Sequence, residues 1–374
     1  IIVNEAEQEG IGVSATFLIT GENTYLQDLT LKNAYDYYKP GFAGRAVVIQ
    51  DKGKHTVCKN VRMLSYQDTY YSNSNSNFYF ENSDIHGTVD FICGEGDVFF
   101  NNCTLTVEPR NADGSGECTL TAPSTNSSEG NKFGYVFSGC TIDSKAEKFN
   151  YGRAWNNTPR CAYINTTLLQ PERLNENRWT LGGMNVPADR FVEYNTMDQS
   201  GKVISPASLV CTFTKDSKSN TYETILTAEQ AEEYSLETIS KSWNWYPATY
   251  TAQKSMDVLK ADGNKLTWNA VDGALAYAVF RNGEFVGMTT SSSYDITEGN
   301  ASEYSVRAAN ECGGFGPGST TTTGISDSVV AGGDVVRTSY YNVQGARVGS
   351  SYKGIVIKVE TLKDGKQIAT KIIR

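Results

Sequence analysis

A six-residue pattern recurs along the first half of this 374-residue chain. Each copy has an apolar residue, an Asn, Asp or Gly two positions on, a small or apolar residue next, and an apolar residue at its end. The copies are Leu26–Leu31, Cys58–Met63, Phe80–Ile85, Phe100–Leu105, Phe137–Ile142 and Tyr163–Leu168. Their starts are separated by 32, 22, 20, 37 and 26 residues. Apolar residues alternate within a copy, as in a strand with one face inward. Helical repeats tolerate such uneven spacing poorly, whereas stacked coils of strands can carry loop insertions. The pattern predicts an all-β chain built on a parallel β-helix. In that register Leu29, Val61, Ser83, Cys103, Cys140 and Thr166 form one column inside the coil.

Composition agrees with many strands and turns. Gly, Asn, Ser, Thr and Tyr are abundant, and stretches rich in helix formers are few. With 33 basic and 42 acidic residues the net charge is -9, and no basic stripe marks a nucleic-acid partner. No apolar run reaches the ~20 residues of a membrane span. The eight cysteines include no Cys-x-x-Cys and the histidines are only His55 and His86, so a zinc site is not expected. Buried free thiols are the expectation, with Cys103 and Cys140 as neighbours.

Two aspartates fall in phase with the repeat. Asp68 lies ten residues after Cys58, and Asp90 ten residues after Phe80. On consecutive coils their side chains stand one above the other at roughly the 4.8 Å strand spacing. Two carboxylates that close do not both ionise freely, so one pKa rises. A split pair supplies one nucleophile or base and one acid. The plainer reading is that each aspartate caps a turn. A serine–histidine triad is not expected, because no Gly-x-Ser-x-Gly elbow is present.

Three segments carry a resemblance. Gln67-Asp68-Thr69, Gly87-Thr88-Val89-Asp90-Phe91-Ile92 and Tyr151-Gly152-Arg153-Ala154-Trp155 resemble, in order, the signature motifs of pectin methylesterases. Ala154 replaces the proline of that family's Gly-Arg-Pro-Trp. The resemblance implies a right-handed parallel β-helix that hydrolyses the C6 methyl esters of pectin (methylated homogalacturonan), without cofactor or metal. It implies that Asp90 is the nucleophile and Asp68 the acid and then the base. Arg153 holds Asp90 ionised, and Gln67 donates to the oxyanion. Tyr71, Val89, Phe91, Trp155 and Met184 match groove positions that contact the substrate. Trp179 and Arg190–Asn195 resemble late segments lining the far side of the groove. Arg45 stands where the family usually has a glutamine, and reads either as a substitute oxyanion donor or as a structural or substrate-carboxylate group. The competing readings are another pectin-active β-helix enzyme, such as a calcium-dependent lyase, and a non-catalytic polysaccharide-binding module.

The β-helix is expected over 1–250, with N-terminal coils of the family missing and a helix over Thr227–Tyr234 capping its C-terminal end. Residues 254–322 resemble a fibronectin type III sandwich, with Trp268 buried and a turn at Asn282-Gly283. Gly318–Gly324 reads as a linker. Residues 323–374 resemble a C-terminal β module of secreted Bacteroidetes proteins, which implies a secreted, cell-surface or periplasmic protein, expected to be monomeric.

Overall fold

The structure, a computed structural model, describes residues 1–39, 44–252, 254–310, 312, 314–321, 335–342, 347–348, 355–362 and 367–373. Its N-terminal part is a coil of parallel strands with three faces. Asn77–Glu81, Asp97–Asn101, Tyr135–Ser138, Arg160–Ile164 and Arg190–Tyr194 stack on the first. The second holds Asp84–Gly87, Thr104–Val107, Thr141–Ser144, Thr167–Leu168 and Met197–Asp198. Two long strands, Tyr25–Asn33 and Thr56–Leu64, run across both. On the third face lie Phe17–Ile19, Ile49–Asp51, Tyr70–Ser72, Val89–Gly94, Glu117–Pro123 and Lys148–Gly152.

The repeat explains the corner between the first and second faces. The third residues of the six copies, Asp28, Asn60, Asn82, Asn102, Gly139 and Asn165, have φ of 56°, 51°, 49°, 52°, 63° and 53°. This left-handed region costs most residues energy and is tolerated by Gly, Asn and Asp. Inside the coil, the opening residues Phe80, Phe100, Phe137 and Tyr163 stack with ring centroids 4.9, 4.5 and 4.5 Å apart. Val61, Ser83, Cys103, Cys140 and Thr166 are buried, and Leu29 half-buried. Seven of the eight cysteines are buried free thiols.

Asn195, at φ 53°, turns a further coil that the pattern did not include. There Glu193 takes the slot of the stacked aromatic, in register with Tyr163. Its buried carboxylate is held by Arg178 at 3.1 Å, by the Ser205 hydroxyl at 3.1 Å and by the Thr196 hydroxyl. A buried charge needs such partners.

The capping expectation is corrected. Thr227 caps a short helix, Ala228–Ala231, and Ser235 caps a second, Leu236–Trp243. Neither sits over the C-terminal end. Ala231, Tyr234, Ile239 and Trp245 pack on Val57, Tyr79, Phe99, Val136, Ala162 and Val192. Those are outward residues of successive first-face strands, so the helical segment straps the coil lengthwise. The Lys59 ammonium donates to the Thr251 carbonyl at 2.6 Å, and the Trp243 indole to Asp97 at 3.3 Å.

Beyond the strap, two antiparallel sheets enclose a separate core. One holds Lys260–Asp262, Lys265–Thr267 and Ser293–Asp295; the other holds Glu284–Thr289, Ala276–Arg281, Tyr304–Ala309 and Ser319–Thr320. Leu266, Trp268, Tyr277, Val279, Tyr304 and Val306 fill the space between them. Ser319–Thr320 is thus an edge strand rather than linker, and 322–324 lie outside the described residues. Val335–Asn342, Arg347–Val348, Ile355–Leu362 and Gln367–Ile373 form a four-stranded antiparallel sheet.

Candidate active site

The third face carries the site. Tyr70 pairs with Ile92 and Tyr71 with Cys93, so Asp68 and Asp90, 22 residues apart like those pairs, occupy one level of adjacent coils. Both have left-handed backbones, φ 60° and 49°. The Asp68 amide donates to the Val89 carbonyl at 3.3 Å, and the Thr88 amide to Tyr66 at 2.6 Å. Gly87 opens this turn for a steric reason: a Cβ there would lie 2.0 Å from the Phe91 Cβ.

Arg153 follows the next-but-one third-face strand, Lys148–Gly152, and its amide donates to the Thr121 carbonyl at 3.0 Å. Its guanidinium forks onto Asp90, with Nε 2.9 Å from Oδ1 and Nη2 2.5 Å from Oδ2. Charge-assisted, two-pronged bonds of this kind fix orientation as well as charge. Burial pushes the Asp90 carboxyl up while the Arg153 bond and charge oppose it. Burial pushes Asp68 well above the carboxylate range, and the charge of Asp90 adds to that, outweighing Arg45 and Arg153. Asp90 therefore ionises first and Asp68 holds its proton longer.

Ile11, Arg45, Gln67, Asp68, Asp90, Cys93, Ala122, Arg153, Trp155 and Met184 line one cavity of about 240 Å³. Seven of the residues expected at the site thus converge there. The Gln67 side-chain amide makes no hydrogen bond to the described residues and remains available as a donor. Tyr71 lies behind Trp155, ring centroids 6.2 Å apart, and its hydroxyl is pushed up to about 12, mainly by burial. Val89 lines an adjoining hollow that shares Arg153 with the cavity.

Phe91 is not at the groove: it is fully buried in the core. Trp179 is likewise core, and Arg190–Tyr194 lies on the first face rather than along the groove. Arg45 reaches the cavity, but its fork is taken by Glu9, at 2.8 Å for each prong. Sequence reasoning missed Ile11, Cys93 and Ala122 as wall residues, and Glu9 altogether. Glu9 and Arg45 are 36 positions apart with no motif joining them. Among the described residues no cluster of three or more His, Cys, Asp or Glu could hold a metal ion, and no helix is long and apolar enough to cross a membrane.

The pectinesterase family profile matches residues 3–242, well over half of the chain. The chain belongs to the pectinesterase family. An Arabidopsis thaliana protein named probable pectinesterase/pectinesterase inhibitor 20 is 31% identical over 196 residues, 49% of this chain and 32% of that one. A Ralstonia solanacearum pectinesterase is 31% identical over 166 residues, 41% of each. This pectinesterase-family chain thus spans between about a fifth and about half of the length of the curated relatives it matches. Among solved structures, pectin methylesterase from Yersinia enterocolitica aligns with TM-score 0.51 at 22% identity, covering 65% of this chain and 84% of that one. Pectin methylesterase from carrot aligns with TM-score 0.50 at 20% identity, covering 66% and 76%. These likenesses show the fold: mostly parallel sheets curled into a β-helix.

Proposed function

We propose that this protein hydrolyses the C6 methyl esters of pectin, releasing methanol and leaving galacturonate carboxylates. The observation that carries the reading is the aspartate pair on adjacent coils, one member forked by Arg153 and the other left with the higher proton affinity. Asp90, ionised, attacks the ester carbonyl carbon, and Gln67 donates its amide N–H to the oxygen that becomes negative. As the tetrahedral intermediate collapses, Asp68 gives its proton to the departing methoxy oxygen, and methanol leaves an acyl group on Asp90. Asp68, now a carboxylate, takes a proton from water. The hydroxide so formed adds to the acyl carbon and the bond to Asp90 breaks. Trp155, backed by Tyr71, offers a ring face to the sugar, and Met184 lines the same cavity. Arg45 enters this scheme only indirectly, because Glu9 occupies its donors.

Asp90→Asn and Asp68→Asn should each lower methanol release from highly methylated pectin by about a hundredfold or more while the far-ultraviolet dichroism stays unchanged. Near-normal release from either variant would overturn its assigned role. The substrate reading also proposes an exported protein. We assign 1–250 to the esterase unit, 254–322 to a fibronectin type III-like sandwich, supported by its paired sheets of three and four strands, and 323–374 to a C-terminal β module of sorting or attachment type.

A further inference from the structure

The cavity holds two arginines, and only one of them touches an aspartate. Arg153 serves Asp90, whereas Arg45 turns both prongs of its fork onto Glu9. Arg45 is nevertheless next to the chemistry, because it bridges to Gln67, the residue before Asp68, and lines the same cavity as both aspartates. Glu9 is put there by a built segment. The Gly10 amide donates to the Arg45 carbonyl at 2.8 Å, and the Ser14 amide closes back on the Gly10 carbonyl at 3.2 Å. The Ser14 hydroxyl accepts from the Val47 amide at 3.0 Å, and its carbonyl accepts from the Asn33 side chain at 2.6 Å. Ile11 of this segment forms part of the cavity wall. Side-chain exposures of 46% and 35% make the Arg45–Glu9 pair a weak source of stability. Its position suits another role.

We propose that Glu9 is a positioning residue of this site, holding the Arg45 guanidinium at the cavity wall so that Asp90 keeps a single cationic partner and Asp68 remains a proton donor. The inference rests on the esterase reading above. An unpaired guanidinium beside Gln67 would be drawn to the carboxylates that share its cavity, Asp68 first and then Asp90. A cation moving toward Asp68 favours its ionised form and removes the proton that methanol needs to leave. The charged and titratable groups acting with Asp68 are Asp90, Arg45, Arg153 and Glu9, together with the Tyr71 hydroxyl and the Cys93 thiol. Glu9 does for Arg45 what Asp90 does for Arg153: it favours the protonated form of Asp68 and neutralises one of the two cations that oppose it.

The test is a set of pH profiles for wild type, Glu9→Gln, Arg45→Gln and the double variant, measured by methanol release. Each profile is paired with a side-chain carboxyl titration of Asp68 by carbon NMR. Glu9→Gln should move the basic limb and the Asp68 titration down together, by about half a pH unit or more. Release on the alkaline side of the optimum should fall severalfold. Arg45→Gln added to Glu9→Gln should return both readings toward wild type, since the freed cation is gone. The shift should shrink in high salt, because the pair is exposed. A Glu9→Gln variant with unmoved limb and unmoved titration overturns the proposal. So does a double variant no better than the single one, which would mark Glu9 as merely structural. If wild type releases no methanol, the esterase reading fails, and the NMR titrations still decide whether Glu9 controls the proton on Asp68.

Discussion

Arg153 acts on Asp90 by position and by charge, and the two can be separated. In the proposed mechanism Asp90 must be ionised to attack, so its pKa would set the acid limb of the pH profile. Burial raises that pKa and Arg153 holds the rise in check. Arg153→Ala removes the opposing cation, so the folded-state pKa climbs further and the acid limb moves to higher pH. Arg153→Lys should recover only part of the activity, because a point charge cannot make the two-pronged contact. An acid limb that stays in place in the alanine variant would remove Arg153 from the mechanism. Positions at the cavity were legible from motif and phase together at Asp68 and Asp90, and from motif at Arg153. Phe91 shows the limit. It lies one residue from Asp90 in the same motif, yet the left-handed turn at Asp90 exposes one side chain to the cavity and sends the next into the core.

At the scale of elements, the corner residues carry the coil. Asn82 turns the chain at φ 49° between the strands that precede the GTVD segment. A β-branched residue there meets its own carbonyl, so Asn82→Val should cost roughly 1–2 kcal/mol, while Asn82→Gly should cost about 1 kcal/mol or less. Urea unfolding at unchanged m-value measures both; equal losses would show that backbone strain is not what selects asparagine. The corners were readable because Asn, Asp or Gly, the residues that tolerate a left-handed backbone, recur at one phase. The strap was half readable. Its Thr227 cap follows from local chemistry, and its destination was written in a pattern across coils: Val57, Tyr79, Phe99, Val136 and Ala162 each directly precede the opening residue of a repeat. A strand whose outward residues are also apolar needs cover, but which segment supplies it depends on where the chain returns.

For the whole molecule, the core between the two antiparallel sheets shares no residue with the clusters of the β-helix. Trp268, nearly buried among Leu266, Tyr277 and Tyr304, is its largest side chain. Trp268→Ala should cost about 3–5 kcal/mol there. Calorimetry should show one transition lowered and the β-helix transition kept, with methanol release retained at 25 °C. Loss of both transitions together would mean that the sheets and the coil unfold as a unit. By itself the sequence determined the repeat, its corners, the in-phase aspartates and the caps, because each follows from residue type at short spacing. Only the tertiary structure decided that the helical segment runs back along the first face, that Phe91 turns inward, that Glu193 replaces an aromatic in the stack, and that Glu9 takes both prongs of the Arg45 fork. Those outcomes depend on contacts between residues far apart in the chain, where packing space and charge pairing select among partners that local pattern leaves equivalent.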